Sequence, residues 1–416
     1  MTRTHGKRHI ARYVFTAAVA TAAAVTGMSG VALAGTPIAL PTGAVLDAGA
    51  AGAIPGSYIV VLKDGTDAAT HVTSASQQMI KRYGGQVKNN YLATVRGFQA
   101  SMTATQAARL AADPSVQFVE QDATVKMGAT ETNATWGLDR IDQRSLPLST
   151  TYTSGSASGV TAYVLDTGIR LTQKEFGGRA RNGWDFIDND AVAQDCNGHG
   201  THVAGTIGGK TYGVAKDVKL VAVRVLNCQG SGSYSAIIAG IDWVTKNAVK
   251  PAVANMSLGG PVSAALNAAV ARSIASGVTY AVAAGNDNTN ACNQSPAAEP
   301  GAITVGATTS TDARASFSNY GSCVDIFAPG QQITSASYAS DTGTAVMSGT
   351  SMASPHVAGA AALVLGAHPT WTPTQVRDAL VTNADSGLVT SAGTGSPNKL
   401  LYTGWLNTTG NSAAKK

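Results

Sequence analysis

Charge is scarce in this 416-residue chain: Asp, Glu, Lys and Arg together make up 13% of it, about half the usual share. That excludes a coiled coil or a long solvated tail and leaves a compact, loop-rich globular protein, in keeping with 46 glycines. The net charge of +5 is spread along the chain, and its only tight basic cluster, Arg3, Lys7, Arg8 and Arg12, lies at the N-terminus, so no nucleic-acid footprint is present. Cysteine is limited to Cys196, Cys228, Cys292 and Cys323, with no C-x-x-C pair to argue for zinc. Beyond the first 34 residues no apolar run approaches the roughly 20 residues of a membrane span.

What is present begins with a targeting signal. The basic cluster precedes an apolar segment, Tyr13 through Ala24, then Gly27, Ser29, Gly30 and a Val-Ala-Leu-Ala stretch ending at Ala34. Charged region, apolar region and small-residue cleavage site come in the order of a secretory signal, predicting residues 1–34 as signal peptide and a secreted, extracellular product. Export makes four cysteines read as two disulfides, and spacing leaves all three connectivities open.

Residues 35–128 read as a separate small α+β domain without cysteine. An Ala/Gly/Pro-rich linker runs through Pro55, followed by a strand over 56–62, a helix over 68–83, strands over 95–102 and 117–119, and a helix over 105–112. The polar stretch from Gly128 to Thr135 is expected to be an exposed, cleavable linker. From Trp136 the pattern alternates. Short β-branched runs over 160–165, 220–226, 253–258, 278–284 and 303–307 are separated by helical stretches such as 234–248 and 264–276. Apolar strands between amphipathic helices predict an α/β domain: a three-layer, doubly wound, mostly parallel sheet, with chemistry gathered at the strands' carboxyl ends.

Three stretches carry chemistry. Gly349-Thr-Ser-Met-Ala-Ser-Pro-His-Val-Ala-Gly places Ser351 at the mouth of an apolar run, Val357 to Leu365, long enough for a buried helix. A helix start offers unpaired N–H groups and a positive dipole end to the charge formed when a hydroxyl attacks a carbonyl, although Ser is also a common N-cap. Asp166 ends the strand Val-Thr-Ala-Tyr-Val-Leu, a place where Asp often merely turns the chain. His199 opens Gly198-His-Gly-Thr-His-Val-Ala-Gly, whose apolar continuation predicts a helix; His199 with His202 could instead pair on a metal, but no third ligand follows at useful spacing. Together they supply a carboxylate to orient an imidazole, an imidazole to take a proton, and a nucleophile. His202 and His356 are expected to be structural.

Asp166-Thr-Gly, His199-Gly-Thr-His-Val-Ala-Gly-Thr and Gly349-Thr-Ser-Met-Ala-Ser-Pro-His-Val-Ala-Gly, in the order Asp, His, Ser, resemble the subtilisin-like serine proteases over roughly residues 136–401. Trp136-Gly-Leu-Asp-Arg-Ile-Asp-Gln-Arg and Ser318-Asn-Tyr-Gly-Ser-Cys-Val-Asp are similar to the proteinase K branch, nearest its aqualysin-like secreted enzymes. The resemblance implies a subtilisin-like catalytic domain over 129–401 and neighbour pairing of the cysteines, Cys196 with Cys228 and Cys292 with Cys323. It implies an oxyanion role for Asn286, otherwise an ordinary turn residue. Cleft residues are then Gly230, Ser231, Gly232, Ser257, Leu258, Gly259, Ala283, Ala284 and Gly285, where substrate would add as a strand. Structural Ca²⁺ is implied at Pro300, Ala302 and Asp325, and at a second set, Asp139, Asp142 and Gln143, whose following Ser149 and Thr151 carry no charge. Residues 35–128 resemble the inhibitory propeptide, which implies a zymogen cut after Gly128, acting as a monomer on protein and peptide substrates, with no membrane anchor. Residues 402–416 are expected to form a tail.

Two other classes compete. Asp166-Thr-Gly and Asp385-Ser-Gly superficially match an aspartic protease dyad, which needs an all-β fold and leaves His199 and Ser351 without a role. A binding module on an inactive protease fold predicts a missing catalytic group, and none is missing.

Overall fold

The computed structural model describes residues 43–49, 53–63, 70–92, 96–123 and 129–407. The expected signal peptide, the cut after Gly128 and residues 408–416 lie outside them.

The small domain is a five-stranded sheet in the order Val45–Leu46, Val116–Ala123, Ala53–Leu62, Gly97–Ser101, Gln86–Tyr91, with helices Thr70–Tyr83 and Ala104–Ala111. Its core gathers Tyr58, Val60, Phe98, Leu110 and Val119. The second helix starts on a capping box in which Thr103 and Gln106 satisfy each other's backbone N–H groups. The strand Gln86–Tyr91 was not expected, because Gln, Lys and Asn populate it; among the described residues it is an edge strand paired only with Gly97–Ser101.

The larger domain is built on a nine-stranded sheet. Its strands are β1 (Thr161–Asp166), β2 (Ala180–Asp185), β3 (Lys219–Arg224), β4 (Ala252–Met256), β5 (Val278–Ala283), β6 (Ile303–Thr308), β7 (Ile326–Pro329), β8 (Asp385–Ser386) and β9 (Lys399–Leu400). Their order is β8-β9-β7-β6-β5-β4-β1-β3-β2, with every pair parallel except β8 with β9. Strand order reverses around β1, so its carboxyl end opens at the topological switch point where such sheets place ligands.

Five helices matter here: α1 (His199–Gly208), α2 (Tyr234–Asn247), α3 (Ala264–Ala275), α4 (Thr350–Ala367) and α5 (Pro373–Asn383). Alternate strand residues serve opposite faces, as the two-residue period requires. Ala162, Val164, Leu220 and Ala222 pack with Val203 and Ile207 of α1 and with the length of α4. Tyr163, Leu165, Val221 and Val223 pack with Ile237 and Ile241 of α2 and Leu266 and Val270 of α3. The expected three layers are therefore present. Helix α4 is buried over nearly its whole surface, consistent with its uncharged Ala, Gly, Val and Leu content, and it begins seven residues before the expected Val357.

Two expectations need correction. The stretch after Gly128 is exposed at Thr130, Thr132 and Asn133 as expected, but it is a strand and not an irregular linker: Ala129–Thr132 pairs antiparallel with Thr151–Ser154. Nor does the domain stop at Leu401. Thr403 donates from its N to the Ile141 carbonyl at 2.6 Å, and Leu406 is buried against the α4 side of the core. The aromatic and leucine side chains of Tyr402–Asn407 make this last stretch core rather than tail.

Candidate active site

Asp166 closes β1 with its side chain fully buried, and His199 is the first residue of α1. His199 Nδ1 lies 2.8 Å from Asp166 Oδ1 and 3.0 Å from Oδ2, while the Thr167 N–H donates to Oδ1 at 2.7 Å. Burial lowers the imidazole's affinity for a proton, but the Asp166 charge, its hydrogen bond and the more distant charge of Asp195 outweigh it, so the His199 pKa lies above the ordinary histidine value. With Nδ1 engaged, Nε2 is the nitrogen left to act as base.

Ser351 is the second residue of α4, partly exposed at its N-terminal end. Its Oγ donates to the Ser257 carbonyl at 3.1 Å, and Ser257 Oγ donates to the Ser351 carbonyl at 2.7 Å. That carbonyl is available because Pro355, four residues on, has no N–H to offer it. Behind the pair, Asn255 Nδ2 donates to Ser257 Oγ at 2.9 Å, and Ser354 Oγ donates to Asn255 Oδ1 at 2.8 Å. Ser351 thus rests on a buried polar chain, with its hydroxyl turned to the Ser257 carbonyl; catalytic hydrogen bonds often form or tighten only with substrate present.

Asn286 follows the left-handed Gly285 and is exposed. Its Oδ1 accepts from the Thr350 N–H at 2.8 Å and from Thr350 Oγ1 at 2.9 Å, while Thr350 Oγ1 accepts from the Gly285 N–H at 3.1 Å. Two donors on Oδ1 fix the amide orientation and leave Nδ2 as the donor beside Ser351. Spacing alone gave no sign of Thr350, Asn255, Ser354 or Thr167, since their partners lie 64 residues away for Thr350 and 99 for Ser354.

Of the expected cleft residues, Gly230, Ser231, Gly232 and Gly259 are exposed, Leu258 and Gly285 are partly exposed, and neither 230–232 nor 257–259 is paired in a sheet. Residues 227–231 close a hydrogen-bonded turn with Gly230 in the left-handed region, while 257–259 follow a sheet strand without a sheet partner of their own, as an added strand needs. Ala283 and Ser257 are buried, and Ala284 contributes no side chain to the surface, because it packs with Ala291, Ala297 and Val324.

The cysteines pair as neighbours, Cys196 with Cys228 and Cys292 with Cys323. The first bond joins the loop three residues before His199 to the segment two residues before Gly230, and Arg224, held by Asp185 and Asp188, lies against both sulfurs. His202 and His356 are buried on α1 and α4, with His202 Nε2 donating to the Ile333 carbonyl; burial drives each pKa down to about 4, so both are neutral and structural.

The two calcium sets differ. Asp325 is already faced by the Arg377 guanidinium on Oδ1 and the Thr304 N–H on Oδ2, which leaves a cation little beyond the carbonyls of Pro300 and Ala302. Asp139 and Asp142 have no guanidinium or ammonium on them among the described contacts. Asp139 caps the Ser149–Thr150 turn through three hydrogen bonds and Asp142 accepts from the Thr153 N–H. Burial chiefly, helped by the Asp139 charge, raises the Asp142 pKa to about 6. Two carboxylates, the Gln143 amide oxygen and the Ser149 and Thr151 hydroxyls form an oxygen-only set that suits a hard cation. Among the described residues no cluster of three or more His, Cys, Asp or Glu exists to hold a metal.

Asp385, the other half of the rival acid dyad, lies on β8, six strand steps from β1 and therefore roughly 29 Å across the sheet. It is held by Arg144 at 2.6 Å. No aspartic protease site can form.

Comparison with known proteins shows the family of the chain. The Subtilase family model matches residues 157–411, and the Peptidase inhibitor I9 model matches residues 57–128. The chain is 55% identical over 369 residues to the "Extracellular serine proteinase" of Thermus sp. (strain Rt41A), covering 84% of this chain and 90% of that protein. It is 52% identical over 364 residues to the "Alkaline serine exoprotease A" of Vibrio alginolyticus, covering 84% and 68%. A crystal structure of a cold adapted subtilisin-like serine proteinase superposes with a TM-score of 0.64 at 58% identity, spanning 65% of this chain and 99% of that one. With an I9 propeptide domain preceding an α/β catalytic domain, the chain belongs to the subtilase family of serine-type endopeptidases.

Proposed function

We propose that the protein is a secreted endopeptidase of broad specificity that works through Asp166, His199 and Ser351 and is made as a zymogen. The single observation that carries this is the Asp166–His199 contact at 2.8 Å; Ser351, at a helix start, directly follows Thr350, which orients Asn286. His199 takes the Ser351 proton as Oγ attacks a peptide carbonyl; Asn286 Nδ2 and the Ser351 N–H stabilise the oxyanion. His199 then protonates the leaving amine, and water, activated by the same imidazole, releases the acyl group. Asp166 holds the tautomer and stabilises the imidazolium. Because the base must be neutral and its pKa is raised, activity should climb through an apparent pKa above the usual imidazole value and be greatest at neutral to alkaline pH.

The domain map proposed with it is a signal peptide over 1–34, a propeptide over 35–128 acting as transient inhibitor, and a catalytic domain from Ala129, supported by the family matches over 57–128 and 157–411. An extracellular setting agrees with the name of the Thermus relative and with two disulfides. Among the described residues no helix is long and apolar enough to cross a membrane. Small, exposed Gly230, Gly232 and Gly259 support broad side-chain tolerance. Structural calcium is assigned to Asp139, Asp142 and Gln143, where it would pin the 139–151 loop, with the Asp325 set the weaker candidate. A calcium-dependent rise in thermal stability that Asp142→Asn abolishes and Asp325→Asn leaves intact is the expected result.

The test is to express the full chain and its Ser351→Ala variant, incubate each with a denatured protein, and sequence the N-termini. Wild type should digest the substrate and begin at Ala129, while the variant stays an inert precursor. If both mature alike, the triad and the self-processing fall together.

A further inference from the structure

Asp195 lies four residues before His199 and is buried, with 5% of its surface exposed. Five donors converge on its carboxylate. Oδ1 accepts from Thr167 Oγ1, the Asn197 N–H and the Gly198 N–H, each at 2.9 Å; Oδ2 accepts from the Thr201 N–H at 2.9 Å and Thr201 Oγ1 at 2.5 Å. All five are neutral groups. The carboxylate therefore gives up its hydration without meeting a cation among these partners, and hydrogen bonds to the charged form are what make such burial tolerable.

These contacts reach both catalytic elements. Thr201 is in the first turn of α1, so Asp195 caps the helix that His199 opens, where Gly198, with φ of 110°, supplies no side-chain cap of its own. Thr167 directly follows Asp166, and its Oγ1 both donates to Asp195 and accepts from the Gly200 N–H at 3.0 Å. Thr201 Oγ1 in turn accepts from the Arg170 N–H at 3.0 Å. The approach is so close that a Cβ on Gly200 would stand 2.2 Å from the Gly168 carbonyl.

We propose, resting on the triad assigned above, that Asp195 is a positioning residue for the catalytic pair. Its carboxylate fastens the end of β1, which carries Asp166, to the start of α1, which carries His199, and lends that imidazole a second negative charge as it becomes cationic in the reaction. The charged and titratable groups acting on His199 are then Asp166 from β1, Asp195 from the loop before α1, and His202 from within α1. His202 is uncharged above about pH 4, so the balance at working pH is set by the two carboxylates.

The experiment compares Asp195→Asn and Thr167→Val with wild type, using a chromogenic peptide over pH 5 to 10. Asp195→Asn keeps the shape but removes the charge and turns a donor toward other donors. It should lower kcat by about tenfold or more, with KM little changed, and move the acid limb of kcat/KM to lower pH. Thr167→Val breaks the bridge while leaving the charge, so it should lower kcat with the limb unmoved. In the Ser351→Ala background, the His199 imidazole followed by NMR should titrate at lower pH when Asp195→Asn is added. If Asp195→Asn retains wild-type kcat and acid limb, the proposal is overturned. Should that variant fail to accumulate as folded protein, Thr167→Val decides, and unchanged kcat there overturns it equally. Asp166→Ala run alongside separates the two levels: if it keeps full activity, the triad itself is wrong, whereas loss of activity there with an unaffected Asp195→Asn removes only the role of Asp195.

Discussion

Replacing Thr350 by valine tests how Asn286 is held at the proposed oxyanion site. The substitution keeps the branched shape and the Thr350 N–H, which still holds Asn286 Oδ1 at 2.8 Å, and deletes only the hydroxyl that donates to the same oxygen at 2.9 Å. A neutral hydrogen bond of this kind contributes about 1 kcal/mol, which corresponds to roughly a fivefold loss in kcat if the freed amide wanders from the position it must hold in the transition state. Removing Asn286 itself should cost about 10²–10³-fold, the range for an oxyanion donor. KM should stay near the wild-type value in both, because the donor engages charge that develops only after attack. The decisive assay is a double-mutant cycle with a chromogenic peptide: once Asn286→Ala is in place, Thr350→Val should change kcat by less than about twofold, since the group it orients is gone. If the fivefold loss persists in that background, Thr350 does not act through Asn286. Because the Gly285 N–H also loses its acceptor, rates should be measured well below the unfolding temperature.

Three further outcomes are expected. Arg140→Met strands Asp312, which the fully buried Arg140 now holds at 2.7 and 3.1 Å, and should destabilise the catalytic domain by about 3–5 kcal/mol, seen in urea unfolding of the Ser351→Ala protein. His202 and His356 have folded pKa values depressed to about 4, so the stability each contributes is complete above the unfolded value near 6.5 and is lost as pH falls toward 4, by roughly 3 kcal/mol apiece. Asp142, raised to about 6, works in the opposite direction over the same window, so His356→Gln should flatten the acid limb of a stability–pH curve and Asp142→Asn should steepen it. Opening the Cys196–Cys228 bond by Cys228→Ser, in a chain with Cys196→Ser as well, releases a 32-residue loop worth about 4 kcal/mol and should raise KM more than it lowers kcat, because the bond ends two residues before Gly230.

The residues proposed for catalysis could be picked out because local pattern places them: Asp166 ends an apolar strand, and His199 and Ser351 lie at the starts of apolar helices. Five strands of the large sheet followed from β-branched runs with bounds within a residue or two, whereas Ala180–Asp185, Ile326–Pro329, Asp385–Ser386 and Lys399–Leu400, short or polar, were not expected. What escaped is held by distant partners. The Gln173 amide donates to the carbonyls of Ser337, Ser340 and Gly343, tying the loop after Asp166 to one about 165 residues on, and no spacing rule exposes that. The Ala129–Thr132 strand escaped because Thr and Glu look like linker until Thr151–Ser154 pairs with them. The packing of Tyr402–Asn407 escaped because six residues show no periodicity.

The N-terminal helix Trp136–Asp142 ends up gripped by residues from the far end of the chain. Arg140 binds Asp312, Arg144 binds Asp385, the Ile141 carbonyl takes the Thr403 N–H, and Asn407 reaches the Thr153 carbonyl. Such contacts join residues up to 262 positions apart, so each carries a large loop-closure cost, and the start of the domain depends for its packing partners on segments that follow it by most of the domain's length.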